Sequence, residues 1–179
     1  PVVGELMAQH RELSARMMLI DRNVRIVEEG IDVAVRIGPL ADSGLKAVRI
    51  GWVRQMLVAS SAYLARRGAP ASVAELAGHD VIAAMGPRAA GEWQFVSGRW
   101  RVEPRPRLVL NTVDGILAAA EAGLGIANLL SYQLAAALDA GRLISLLADE
   151  QPPALPVHLL FEPSRAGLPA VRLFIAAMK

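Results

Sequence analysis

Cysteine is absent from the 179 residues, which removes disulfides, thiolate metal ligands and cysteine nucleophiles together. A chain of this kind suits a reducing compartment, and a cytoplasmic location is expected. Aromatic residues make up only 4% of the chain, too few for a surface on which nucleic-acid bases could stack. Lysine is almost missing: of 19 basic residues only Lys46 and Lys179 are lysines, and the rest are arginines. Set against 17 acidic residues they leave a formal charge of +2, too little to hold a phosphate backbone by charge. The composition is 54% hydrophobic, yet no apolar run approaches the roughly 18 residues that would span a bilayer. Short apolar segments are instead broken by Arg, Asp, Glu, Gly or Pro, which excludes a membrane helix, a collagen-like chain and a disordered tail.

Catalytic signatures are missing as well. There is no Gly-x-Ser-x-Gly elbow, no phosphate-binding Gly-x-x-x-x-Gly-Lys loop and no histidine pair at metal-ligand spacing. His10, His79 and His158 are far apart, and each reads more simply as a structural or surface histidine than as a ligand. Gly123-Leu124-Gly125-Ile126-Ala127-Asn128 imitates the start of a dinucleotide fingerprint, but it follows a helix and ends in Asn where a third glycine is needed. No metal, no cofactor and no enzymatic activity is therefore expected. Arg99, Arg101, Arg105 and Arg107, near Trp93 and Trp100, read as the solvated face of a hairpin rather than a nucleic-acid patch.

What is there alternates short apolar strands with helical stretches, the pattern of an α/β fold with mainly parallel pairing. Val2, Leu6 and Met7 mark an opening helix, and Met17, Leu19 and Ile20 a strand reaching Asp21. Asn23 is placed to cap a brief helix that Gly30 stops. Ile31–Ile37 alternates as a buried strand ended by Gly38-Pro39, and 48–59 reads as one long extended passage. Helices are expected from Ser61 to Gly68 and, with Ser72 and Glu75 spaced as a capping box, from Ser72 to Gly78. A strand over Val81–Met85, a hairpin turning at Ser97-Gly98 and a strand over Leu108–Leu110 follow. Asn111 is placed to cap a helix ending near Gly123. Strands at 125–129, 143–147 and 157–161 complete the pattern, with a helix from Ser131 to Gly141 and a closing helix from Pro169 to Met178; Pro152, Pro153 and Pro156 mark a linker.

In open α/β sheets ligands gather outside the carboxyl ends of the strands, where helix N-termini offer free N–H groups. The strand ends supply the candidate site: Arg36, Gly38 and Pro39, then Gly86, then Asn111, Thr112 and Val113, then Asn128 with Ser131. Arg36 brings a guanidinium able to grip a carboxylate through two hydrogen bonds. Each residue alone is more often a cap or a structural arginine than a ligand contact. Their shared placement is what singles the set out.

Several stretches, taken in order, resemble one family. Ile26-Val27-Glu28-Glu29-Gly30-Ile31-Asp32-Val33-Ala34-Val35-Arg36-Ile37-Gly38-Pro39-Leu40 with Asp42-Ser43-Gly44-Leu45 resembles the regulatory domain of LysR-type transcriptional regulators. Ala62 to Pro70, Leu76 to Asp80, Trp93, Asn111, Ala119 to Ala127 and Leu138 to Leu143 continue the match across nearly the whole chain. The chain departs from the family at Asn128-Leu129-Leu130-Ser131, where a proline is usual.

The resemblance implies a type 2 periplasmic-binding-protein-like architecture: two Rossmann-like lobes joined by two crossover strands, with an effector cleft between them. Residues 1–59 plus 158–179 would form lobe one and 60–157 lobe two. The chain opens at Pro1 without an initiator Met or a basic signal segment, so it reads as a fragment. Family members carry a winged helix-turn-helix, a linker helix and the first strand of lobe one before that position. DNA would then be contacted only through that preceding domain. The implied function is the effector-binding and oligomerisation domain of a bacterial regulator, sensing a small anion, a carboxylate, as a homodimer or homotetramer away from any membrane. The alternative on the same fold is a free-standing solute-binding protein of a transport system, preceded by an export signal.

Overall fold

In a computed structural model the described residues are 1–20, 24–85, 92–101 and 106–178. They divide into two units: the first comprises Pro1–Trp52 and Leu155–Lys179, the second Val53–Ala154. The chain thus passes from one unit to the other twice. These boundaries come earlier than 59/60 and 157/158. The reason is pairing: β3 (Gln55–Ala59) hydrogen-bonds within the sheet of the second unit, and β10 (Leu155–Phe161) within that of the first.

The first unit contains α1 (Val2–Gln9), β1 (Ala34–Ile37), β2 (Lys46–Val53), β10 and α5 (Pro169–Ala177). Its sheet has the order β1-β10-β2, with β1 antiparallel to β10. The closing helix starts at Pro169, whose fixed φ suits a first turn, and α5 packs against α1. Leu6, Ile26, Leu159, Leu160, Phe161 and Val171 are buried.

Two readings fail here. Met17–Ile20 enters no ladder; Leu19 is 87% exposed, because no described strand lies beside the segment to pair with it. β1 is shorter than Ile31–Ile37 and lies at the end of its sheet, so Val35 is 53% exposed instead of buried. The helix before Gly30 is a single turn. Ile31 N–H donates to Ile26 O at 2.9 Å and Gly30 N–H to Val27 O at 3.3 Å, with Gly30 at φ 65°, a Schellman closure. Asp21 and the capping role given to Asn23 lie outside the described residues.

The second unit is built on a five-stranded sheet. After β3 come α2 (Ser61–Arg67), a 3₁₀ turn (Ala74–Gly78), β4 (Val81–Ala84) and the hairpin of β5 (Glu92–Phe95) and β6 (Gly98–Arg101). Then follow β7 (Leu108–Leu110), α3 (Val113–Glu121), β8 (Ile126–Leu130), α4 (Ser131–Asp139) and β9 (Ile144–Leu146). The order is β7-β4-β8-β3-β9. Pairing is mixed rather than mainly parallel: β4 runs parallel to β7 and β8, whereas β3 is antiparallel to β8 and β9. β3 is the strand by which the chain enters this unit, and it enters against the direction of the others.

Alternation along each strand sends side chains to opposite faces. Val58, Ile82, Ala127 and Leu129 pack on one side with Ile116, Ala120 and Leu134 of α3 and α4. Leu57, Ala59 and Ile126 pack on the other with Tyr63 of α2, Leu76 of the 3₁₀ turn and Phe95 of the hairpin. Both faces are covered, which is why these strands read as continuous apolar runs.

Candidate functional site

The parallel strands of the second unit end along one edge of its sheet. The N–H of Met85, just after β4, donates to Leu110 O at the end of β7, 2.7 Å away, and ties those two ends together. α3 starts directly after β7, and its cap is Thr112, not Asn111. The Thr112 hydroxyl accepts from Gly115 N–H at 3.2 Å, while Asn111 is exposed and stands outside the cap. A side chain at Gly115 would come within 2.8 Å of the Thr112 hydroxyl oxygen, so the glycine makes room for that cap. Val113 and Asp114 keep first-turn N–H groups without intrahelical acceptors. The carboxylate of Asp114 in the same turn already answers the positive end of the helix, which weakens this helix start as a seat for an anion.

Asn128 is not at a strand end. It is the third residue of β8, opposite Leu57, on the face that buries Ile126. Its side-chain Oδ1 is buried with no hydrogen-bond partner. A buried carbonyl of this kind is stabilised by any N–H or O–H that reaches it. The strand end proper is Leu130-Ser131. Ser131 N–H donates to Arg54 O at 2.8 Å, and Arg54 N–H donates to the Ser131 hydroxyl at 3.2 Å. Leu130 N–H donates to the Gln133 side chain at 2.9 Å, which closes the start of α4.

Because β3 runs against β8, its beginning lies beside the end of β8. This brings the exposed Arg54 to the same edge as Thr112 and Ser131. Arg54 is not among the expected site residues; its signal is that it and Arg49 are the two charges interrupting the apolar passage of 48–59. Gly86 lies outside the described residues.

In the first unit Arg36 is the third residue of β1, and its half-buried side chain holds an Nε with no partner. The strand leads into a loop, not a helix. Gly38, at φ 105°, donates its N–H to Pro156 O at 2.9 Å, and Pro39 has no N–H to give. Of the three, only Arg36 has a free donor to offer an anion. A hollow of about 480 Å³ elsewhere in this unit is lined by Arg25, Ser43, Glu28, Glu162 and others, none of them an expected site residue.

The histidines fall into different settings. His10 lies 3.6 Å from the Glu12 carboxylate. His79 Nδ1 shares a hydrogen bond with the hydroxyl of Tyr63 at 3.1 Å, and His158 Nδ1 is buried without a partner. Among the described residues no group of His, Asp and Glu could hold a metal ion, and no helix is long and apolar enough to cross a membrane. Arg107 is paired with Asp80 at 3.1 Å, and Trp93 packs onto the core. The side chains of Arg99, Trp100 and Arg101, and all of Arg105, lie outside the described residues.

The whole chain, residues 1–179, matches the family described as LysR substrate binding domain. It is 33% identical over 186 residues to the transcriptional regulator PgrR of Escherichia coli, covering 100% of this chain and 62% of that protein. To an uncharacterized regulator of the helix-turn-helix type from Haemophilus influenzae it is 31% identical over 173 residues, covering 94% of this chain and 59% of the relative. The chain therefore spans about three-fifths of the length of these relatives. The full-length structure of AphB, a virulence activator of Vibrio cholerae, superposes with a TM-score of 0.86 at 26% identity, covering 99% of this chain and 61% of AphB. The regulatory domain of CrgA from Neisseria meningitidis shares the fold, with a TM-score of 0.86 over 99% of this chain and 88% of that domain, at 24% identity.

Proposed function

Since the chain belongs to the LysR substrate binding domain family, with the periplasmic-binding-protein-like α/β fold of its regulatory domains, we propose that it is the effector-sensing part of a bacterial LysR-type transcriptional regulator. The observation that carries this reading is the match of the full chain to a family whose named relatives above are transcriptional regulators. A transporter-feeding solute-binding protein finds no support among them, and neither does an enzyme. DNA contact belongs to the part of the longer regulators that this chain does not span.

The effector is a small carboxylate. In the first unit Arg36 supplies the positive charge, through a guanidinium whose Nε has no partner. Binding shifts the regulator between states by the difference in its affinity for them. The domain also oligomerises, as a homodimer or homotetramer. The exposed apolar run Met17, Met18, Leu19 and Ile20 supports that, since water is a poor neighbour for such a stretch.

Thermal unfolding of the 179-residue chain in a panel of small carboxylates and their neutral amides tests the effector class. A carboxylate at a hundred times its dissociation constant stabilises the fold by about 2.7 kcal/mol, and so raises Tm by roughly 5–10 °C. Amides that raise Tm where no carboxylate does would overturn the anionic effector.

A further inference from the structure

Two nitrogen atoms on neighbouring strands of the first unit are buried with nothing to bond to. Arg36 on β1 and His158 on β10 are direct partners in the antiparallel register, so the pleat sends their side chains to the same face of the sheet. Directly opposed side chains start about 4.5–5.5 Å apart. The Arg36 Nε and the His158 Nδ1 are each buried and unpartnered. Neither side chain makes a hydrogen bond or ion pair with any described residue.

Two carboxylates close in sequence to these strands, one before β1 and one after β10, face another arginine. Asp32 is paired with Arg165, and Glu162 faces the same arginine at 4.0 Å. The backbone after β1 does not compete, because Gly38 N–H is taken by Pro156 O and Pro39 has none. The Arg36 Nε–H can only donate, and a histidine Nδ1 donates in either its protonated form or one of its two neutral tautomers. With the proton on Nδ1, both atoms are satisfied by one kind of group, an oxygen acceptor, and the charge of the guanidinium favours an anionic one.

We propose that Arg36 and His158 together form a carboxylate subsite of the first unit, one oxygen accepting from the guanidinium and the other from the imidazole. This deepens the effector reading and rests on it: it assigns the effector's charge to this strand pair and away from the start of α3, where Asp114 already occupies the favourable position. His158 enters as a ligand contact that its solitary place in the sequence did not reveal.

The experiment uses the 179-residue chain labelled with ¹⁵N and titrated with sodium acetate, sodium benzoate, inorganic phosphate and acetamide at constant ionic strength. Long-range ¹H–¹⁵N spectra follow the His158 ring nitrogens, and thermal unfolding follows affinity. Acetate or benzoate moves the His158 Nδ1 resonance and raises Tm, and acetamide does neither. Arg36→Gln and His158→Gln each weaken that carboxylate at least tenfold and Arg36→Lys weakens it less, while Arg142→Gln, a charge loss in the other unit, leaves it unchanged. Should Arg36→Gln fail to fold, Arg36→Lys and His158→Gln carry the comparison.

Carboxylate binding that survives in the Arg36 and His158 variants overturns the subsite and leaves the effector reading standing. A folded parent chain that binds none of the carboxylates overturns both. Phosphate binding tighter than either carboxylate through the same two residues overturns the carboxylate assignment.

Discussion

The hydroxyl of Thr112 holds the first turn of α3 through Gly115 N–H, and it does so at an exposed position where no packing would compensate for its loss. Thr112→Ala should therefore lower stability by about 1 kcal/mol, the usual cost of an N-cap, read as a lower urea midpoint with unchanged slope. Asn111→Ala should leave the midpoint in place, because Asn111 is outside the cap. Sequence alone favours Asn111 as the cap, although Thr112 beside it is also a good one. Only the backbone path out of β7 decides between them. Arg36 was legible because a charge inside an apolar strand needs a reason. His158 and Arg54 were not, since their significance comes from the strands that pairing sets beside them.

At the scale of elements, the junction of the 3₁₀ turn with β4 hangs on the buried Tyr63. Its hydroxyl accepts from Asp80 N–H at 2.8 Å and lies 3.1 Å from His79 Nδ1, to which it donates when that nitrogen carries no proton. A bare Nδ1 belongs to the neutral ring. Burial, and then the neighbouring charge of Arg67, lower the His79 pKa below 6.5, outweighing the carboxylates of Glu75 and Asp80. A group whose folded pKa is depressed binds more protons when unfolded, so its stabilising contribution is complete above pH 6.5 and is lost as pH falls through the folded value. The stability gap between the parent chain and His79→Gln should narrow from pH 7.5 to pH 5; parallel curves would disprove the neutral-histidine contact.

Element types were largely readable where apolar periodicity was strong: α3, α4, α5, β4, β7 and β8 all follow it. Pairing direction was not. Nothing local in Gln55–Ala59 distinguishes a parallel from an antiparallel strand, and direction is fixed by where the chain enters the sheet. Met17–Ile20 misled for the related reason that apolar residues make a strand only where a neighbouring backbone is available to pair.

For the whole molecule, continuity is the decisive difference between the units. The second is one uninterrupted stretch, Val53–Ala154, containing a five-stranded sheet and apolar packing on both of its faces. A polypeptide of residues 53–154 should fold alone and melt cooperatively with dispersed amide resonances. Leu134→Ala in it, which empties a fully buried position, should cost about 2–5 kcal/mol. A non-cooperative melt of the parent stretch would show that its core is incomplete without the rest.

The antiparallel register of β1 with β10 joins residues from near the two ends of the chain, Ala34 with Leu160 and Ile37 with Val157. On a ribosome the first of these waits unpaired until the last has emerged. Meanwhile the inserted stretch can complete its own ladders, among them Ala59 with Ile144, which draw its ends toward each other. A closure of more than a hundred residues is thereby shortened to a small gap, sparing loop entropy that grows with length. Synthesis order makes the inner piece a clasp for the outer one, and any slowing of the clasp would leave the early β1 strand exposed to aggregation.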